Sequence, residues 1–249
     1  MAPPGKPPVL DADVLASFEE TVEAIDRDIR EIREDAPRCV VLQSNSPKFF
    51  CVGANLNVLK TMTEDNFGNW FELGHRVFAL LENLPVPVVA KVGGYALGGG
   101  LELAMAADVI VAGESARLGL TEARLGFVPG WGGIFRLAER VGPSRAKRMF
   151  FSSEMVDACA AIDVGLVDLQ VEEHLLGKEV ESVVVDVDIK PSIQADAALA
   201  KVGALTETTS SRPVSVSSRI IDSSSEPASP TKLGKLKRAY YVRKHAHGT

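Results

Sequence analysis

The stretch GYALGGGLELAMAADVIVA, residues 94–112, sets three consecutive glycines, Gly98, Gly99 and Gly100, between apolar runs and follows them with one carboxylate, Glu102. The β-branched run VPVVAKV at 86–92 reads as a buried strand, and Leu101 to Ala107 favours helix. The glycines therefore sit at a strand-to-helix junction. Without a Cβ a ligand can approach that backbone closely. The first turn of a helix also offers unpaired N–H groups and a partial positive charge, so an anion is the natural guest. The pattern has neither the Lys-Ser/Thr of a phosphate loop nor the spacing of a dinucleotide fingerprint, and Glu102 would repel a resident phosphate. A transient oxyanion fits better, with the carboxylate exchanging a proton with the same reacting group. The other reading of Glu102 is that it complements the helix dipole.

A second carboxylate, Glu122, lies in ARLGLTEARLGFVPGWGG, where an extended half gives way to a proline and several glycines. Gly126, Gly130, Gly132 and Gly133 either shape a pocket or make a tight turn opening the next helix. Trp131, Phe127 and Phe50 are candidate pocket walls or core residues. Histidine-based nucleophilic chemistry has little support: His75, His174, His245 and His247 are scattered, His75 falls on the polar side of a helix, and no GxSxG elbow is present. Cys39, Cys51 and Cys159 have no metal-like spacing and read as apolar filling, so no metal site is expected.

These groups need a frame, and the chain is long enough to provide one. Its 249 residues, 46% apolar and 24% charged, fit a globular protein. No apolar run reaches the roughly 18 residues of a membrane helix, and the N-terminus resembles neither a signal nor a transit peptide, which points to the cytoplasm. Val14, Phe18, Val22, Ile25, Ile29 and Ile32 recur at helical intervals behind Asp11 and Asp13. A strand at Cys39 to Gln43 and a loop, SNSPKFFCVGANL, come next. A helix over about 66–84 follows, with Phe67, Trp70, Phe71, Val77, Phe78 and Leu81 on its buried side. After DVIVAG, helices are expected at about 131–141, 143–151 and 158–162. Strands alternating with helices argue an α/β fold with parallel pairing.

The character changes towards the C-terminus. Residues 206–231 are rich in Ser and Thr with Pro213, Pro227 and Pro230, which reads as a linker. Lys232, Lys235, Lys237, Arg238, Arg243 and Lys244 then form a basic tail on a chain of net charge −6. That tail is a solvated helix or a contact for acidic partners or phosphates.

From about Asp11 to Val171 the chain resembles the crotonase superfamily, and within it the enoyl-CoA hydratases. The resemblance rests on FFCVGANL, GYALGGGLELAMAAD, LTEARLGFVPGWGG and VDACAAIDVGLVD, in the family's order and spacing. It implies a crotonase-like spiral of ββα turns and an acyl-CoA thioester substrate, with coenzyme A part of the substrate and no separate cofactor. It further implies an oxyanion hole of the Ala54 and Gly99 N–H groups, substrate contacts at Ala54, Asn55, Leu56, Asn57, Gly98 and Gly99, and catalytic carboxylates Glu102 and Glu122. Possession of both glutamates favours hydration over double-bond isomerisation. Lys60 is a candidate for a coenzyme A phosphate.

Two departures from the family stand out. Only MAPPGKPPVL precedes the first helix, where relatives begin with a strand and hairpin that help hold the nucleotide. Past about residue 190 no match to the family's trimerising C-terminal helices is evident. The expected organisation is thus a catalytic core over 1–190, lacking the first strand pair, and a divergent region over 191–249. A homotrimer or hexamer is implied by the family, and no nucleic-acid or membrane partner is expected. Alternatives are an enoyl-CoA isomerase, a polyketide-type dehydratase or decarboxylase, or a non-catalytic scaffold using the basic tail on RNA or an acidic partner.

Overall fold

The chain is built from short strands delivered in pairs, one to each of two sheets, with helices returning between pairs. A computed structural model describes residues 7–31, 37, 39–177 and 179. Ile32, the Ser/Thr-rich segment, the basic tail and the expected boundary at 190 lie outside the described residues.

Helix α1 (Ala12–Arg30) starts where expected, because the Asp11 carboxylate accepts the Val14 N–H at 3.0 Å. Its buried face is set by Leu15 and Val22, while Val14 is 39% exposed, so the apolar stripe is rotated one position from the expected one. Strand β1 (Val40–Leu42) follows. The stretch expected to be a loop contains strand β2 (Phe49–Cys51), which leads through Gly53 and Ala54 into α2 (Leu56–Leu59). Helix α3 (Glu64–Glu82), capped by Thr63, packs on α1 and buries Trp70, Val77, Phe78 and Leu81. Phe67, expected inside, is 37% exposed.

The second turn comprises β3 (Val88–Val92), β4 (Tyr95–Leu97) and α4 (Gly99–Met105). The third begins with β5 (Val109–Gly113) and β6 (Arg117–Gly119), continues through a short 3-10 turn (Glu122–Leu125), and ends in α5 (Gly133–Val141) and α6 (Pro143–Ser152). Then come β7 (Val156–Asp157), α7 (Ala158–Asp163) and β8 (Leu169–Val171). One sheet, ordered β1-β3-β5-β8, is wholly parallel, with Val40 beside Val88, Val89 beside Val109 and Val111 beside Leu169. The other, β2-β4-β6-β7, is parallel except for its last pair.

Strands β3 and β5 are buried on both faces, which is why VVAKV and VIVAG are almost uninterrupted apolar runs. Phe78, Leu81, Leu101, Ile110, Leu118, Leu137 and Leu166 form the fully buried centre, each contributing about 1.5–3 kcal/mol by leaving water. A buried ion pair closes one side. Asp168 Oδ2 accepts from Ile110 N–H at 2.8 Å and from Arg140 at 2.9 Å, and Arg140 also donates to the Ala107 and Leu166 carbonyls. Of the cysteines, Cys51 is buried as expected, but Cys159 is exposed and fills no core. His75 is exposed, in line with its place on a polar helix face. No helix among the described residues is long and apolar enough to cross a membrane.

Candidate active site

The glycine junction forms where β4 stops. Gly98 takes φ +54°, ψ −129°, a conformation closed to most side chains, and its carbonyl accepts the Leu101 and Glu102 N–H groups at 2.8 and 3.0 Å. The three glycines have different duties. Gly98 makes the turn. Gly99 lies under Trp131, whose ring would be 2.6 Å from a Cβ there, while a Cβ on Gly100 would sit 2.0 Å from the Cys51 carbonyl oxygen. Gly100 thus brings α4 hard against β2 and needs no unusual backbone angle.

The loop after β2 meets this junction. Gly53, at φ +78°, approaches so closely that a Cβ on it would be 2.7 Å from the Gly99 nitrogen. The folding therefore brings together the Gly53–Ala54 and Gly98–Gly99 backbones, from turns of the chain distant in sequence. Among the described residues neither the Ala54 nor the Gly99 N–H has an acceptor within the chain. Asn55 is engaged locally, its Oδ1 accepting the Asn57 N–H at 3.1 Å to cap α2. Leu56, Asn57 and Lys60 are exposed along that short helix.

Glu102 projects from the first turn of α4 into the protein, 1% exposed. Its Oε1 accepts the Trp131 N–H at 2.8 Å and the Gly133 N–H at 2.7 Å. Burial pushes its pKa up, and the Gly133 and Trp131 N–H groups, followed by the charge of Arg136, oppose that rise. A Cβ on Gly133 would lie 2.6 Å from Glu102 Cγ, so the residue must be glycine for the carboxylate to reach the start of α5. Arg136 is itself held by Glu82 at 2.6 Å and donates to the Trp131 carbonyl.

Glu122 opens the 3-10 turn after β6 and is half-buried. Its Oε2 is buried with no hydrogen-bond partner among the described residues. Desolvation raises its pKa to about 7; nearby backbone N–H groups oppose the shift and the charge of Glu102 adds to it. Its Oε1 flanks the glycine turn, 3.2 Å from where a Gly98 Cβ would stand. The two carboxylates are therefore electrostatically coupled beside one pair of free N–H groups. Burial raises both; the Trp131 and Gly133 N–H groups oppose the rise at Glu102, whereas Glu122 Oε2 has no hydrogen-bond partner among the described residues.

Sequence reasoning gave Trp131 only as a pocket wall or core residue and the glycines around it only as a turn or pocket. The structure gives that segment a further role, because the Trp131 and Gly133 main chains hold Glu102. Backbone donors carry no side-chain signature, and only the glycine density hinted at them. The Trp131 ring is buried, its centroid 4.6 Å from that of Trp70 and 5.4 Å from that of Phe78, and its indole N–H donates to the Phe71 carbonyl at 3.1 Å. Phe50 is buried in β2, whereas Phe127 is 51% exposed.

The family model for enoyl-CoA hydratase/isomerase matches residues 15–226. Human mitochondrial methylglutaconyl-CoA hydratase is 40% identical over 140 residues, 56% of this chain and 41% of that protein. The short-chain-enoyl-CoA hydratase of Clostridium acetobutylicum is 38% identical over 183 residues, 71% of this chain and 70% of its own length. The chain spans about half the length of the mammalian relatives it matches. The crystal structure of an enoyl-CoA hydratase from Bacillus anthracis superposes with a TM-score of 0.69 at 30% identity, covering 94% of this chain and 81% of that one. With the spiral of ββα turns and the paired loops in view, these likenesses agree: the chain belongs to the enoyl-CoA hydratase/isomerase family, within the crotonase superfamily.

Proposed function

We propose that the protein adds water across the double bond of a 2-enoyl-CoA thioester. The observation that carries this reading is the placement of two coupled carboxylates, Glu102 and Glu122, beside the Gly98–Gly99 turn. The thioester oxygen accepts the Ala54 and Gly99 N–H groups, which stabilise the enolate more than the ground-state carbonyl because the charge there grows during reaction. Asn55, Leu56 and Asn57, on the segment that continues from Ala54, line the path of the thioester arm. Coenzyme A enters as part of the substrate, and no separate cofactor takes part.

Glu102, whose Oε1 is anchored by two N–H groups, acts as the carboxylate that orients water and takes its proton as the oxygen bonds to Cβ. Glu122 supplies a proton to Cα, a role supported by its raised pKa and its undonated Oε2. The cycle leaves the proton on Glu102, and its return to Glu122 through solvent restores the starting state. By family resemblance the working assembly is a homotrimer or hexamer.

The test is loss of the enoyl chromophore of crotonyl-CoA. The parent is expected to be active, and Glu102→Gln and Glu122→Gln are each expected to lower kcat by about 100-fold or more. Both variants within about threefold of the parent would overturn the two-carboxylate mechanism.

A further inference from the structure

The Ala54 N–H belongs to the peptide unit whose carbonyl is that of Gly53. That carbonyl accepts the Leu10 N–H at 2.8 Å, and the adjacent Val52 N–H donates to the Pro8 carbonyl at 3.0 Å. Leu10 is buried, and its own carbonyl accepts the indole N–H of Trp70 at 2.9 Å. These bonds tie α3, the segment before α1 and the loop after β2 to one another at Leu10. A peptide unit is planar, so fixing the direction of its C=O fixes the direction of its N–H. A donor on the carbonyl also polarises the unit and strengthens its N–H. The partner unit, Gly98–Gly99, is pinned in the same way, but there the donors are the Leu101 and Glu102 N–H groups of its own helix. The Gly53 carbonyl takes its donor from Leu10, across the fold.

We infer that Leu10 and Trp70 are positioning residues for the Ala54 N–H: the Leu10 main-chain N–H aims and polarises it, and the Trp70 indole N–H holds Leu10 in place. The inference rests on the hydratase reading, in which that N–H binds the thioester oxygen. Neither residue touches the substrate. If they served only as core, removing a hydrogen bond while keeping the ring or side chain would leave the bound carbonyl unaffected.

Two changes in the full chain test this. Trp70→Phe keeps an aromatic ring and removes the indole donor. Replacing Leu10 with its α-hydroxy acid counterpart turns one amide into an ester and removes only the N–H. The readouts are the thioester C=O stretch of bound butyryl-CoA, by isotope-edited difference infrared spectroscopy, and kcat and KM for crotonyl-CoA.

In the parent the stretch falls to lower frequency on binding. The ester is expected to lose much of that shift and about 10- to 100-fold in kcat, with KM within about threefold. Trp70→Phe is expected to show a smaller effect of the same kind, and combining it with the ester should add nothing, because Trp70 acts only by placing the Leu10 N–H. The pH dependence of kcat/KM should stay in place, since the glutamates are untouched. Full retention of the shift and of kcat in both variants overturns the inference while leaving the hydratase reading intact. Absence of any shift in the parent removes the hydratase reading and this inference together. Should the ester fail to fold, Trp70→Phe decides on the same readouts.

Discussion

A carboxyl that ordinarily ionises near 4.5 keeps its proton to about 7 at Glu122 because burial denies the anion water and, on Oε2, any donor. The sign for activity follows. In the proposed mechanism Glu122 below about 7 holds the proton that the substrate Cα must receive, and above it that proton is gone. We expect kcat/KM for hydration to fall as pH rises through about 7, by roughly tenfold per unit beyond the midpoint. By the same proposal, dehydration of a 3-hydroxyacyl product would begin with the proton on Glu102, so both directions need the pair to carry one proton. They should therefore share one profile, reported as a macroscopic property of the coupled pair. A flat profile from pH 6 to pH 9 in parallel assays would assign the proton elsewhere.

Elements bring these residues together by close approach more than by specific side-chain bonds. Gly100→Ala would drive a methyl into the Cys51 carbonyl and separate α4 from β2. Overpacking of this kind costs about 1–3 kcal/mol. The melting temperature should drop by roughly 2–4 °C per kcal/mol, and kcat should fall with it as the loops bearing Ala54 and Gly99 part. Calorimetry beside the crotonyl-CoA assay checks both.

The long elements were legible in the residues. Two-sided burial made β3 and β5 continuous apolar runs, and helical spacing with a cap at Asp11 marked α1. Glu102 and the glycine turn were legible for the same local reason. Strands β2 and β4, each three residues long, are too short to display a period and were missed. The hold of Trp131 and Gly133 on Glu102, and of Leu10 on Gly53, runs through main-chain atoms of segments far apart in sequence. Residue types alone do not encode such contacts.

At the scale of the whole molecule, the site depends on a scaffold tied by Asp168, Arg140 and the Ile110 N–H. Asp168→Ala would leave the buried Arg140 guanidinium without its counter-charge and the Ile110 N–H without its acceptor. The expected loss is about 3–5 kcal/mol of unfolding free energy, read as a lower midpoint in urea with an unchanged slope. The activity of the folded fraction should survive, because none of these groups reaches Glu102 or Glu122.

The buried tryptophan pair has one more consequence. The sequence contains two tryptophans, Trp70 and Trp131, and both stand at the site with their rings 4.6 Å apart. All intrinsic tryptophan fluorescence of the chain therefore originates beside the Gly99 turn, and the two indoles are close enough to exchange excitation energy. An emission change on adding an acyl-CoA would report occupancy of this one place, so the protein carries its own unlabelled optical probe of ligand binding.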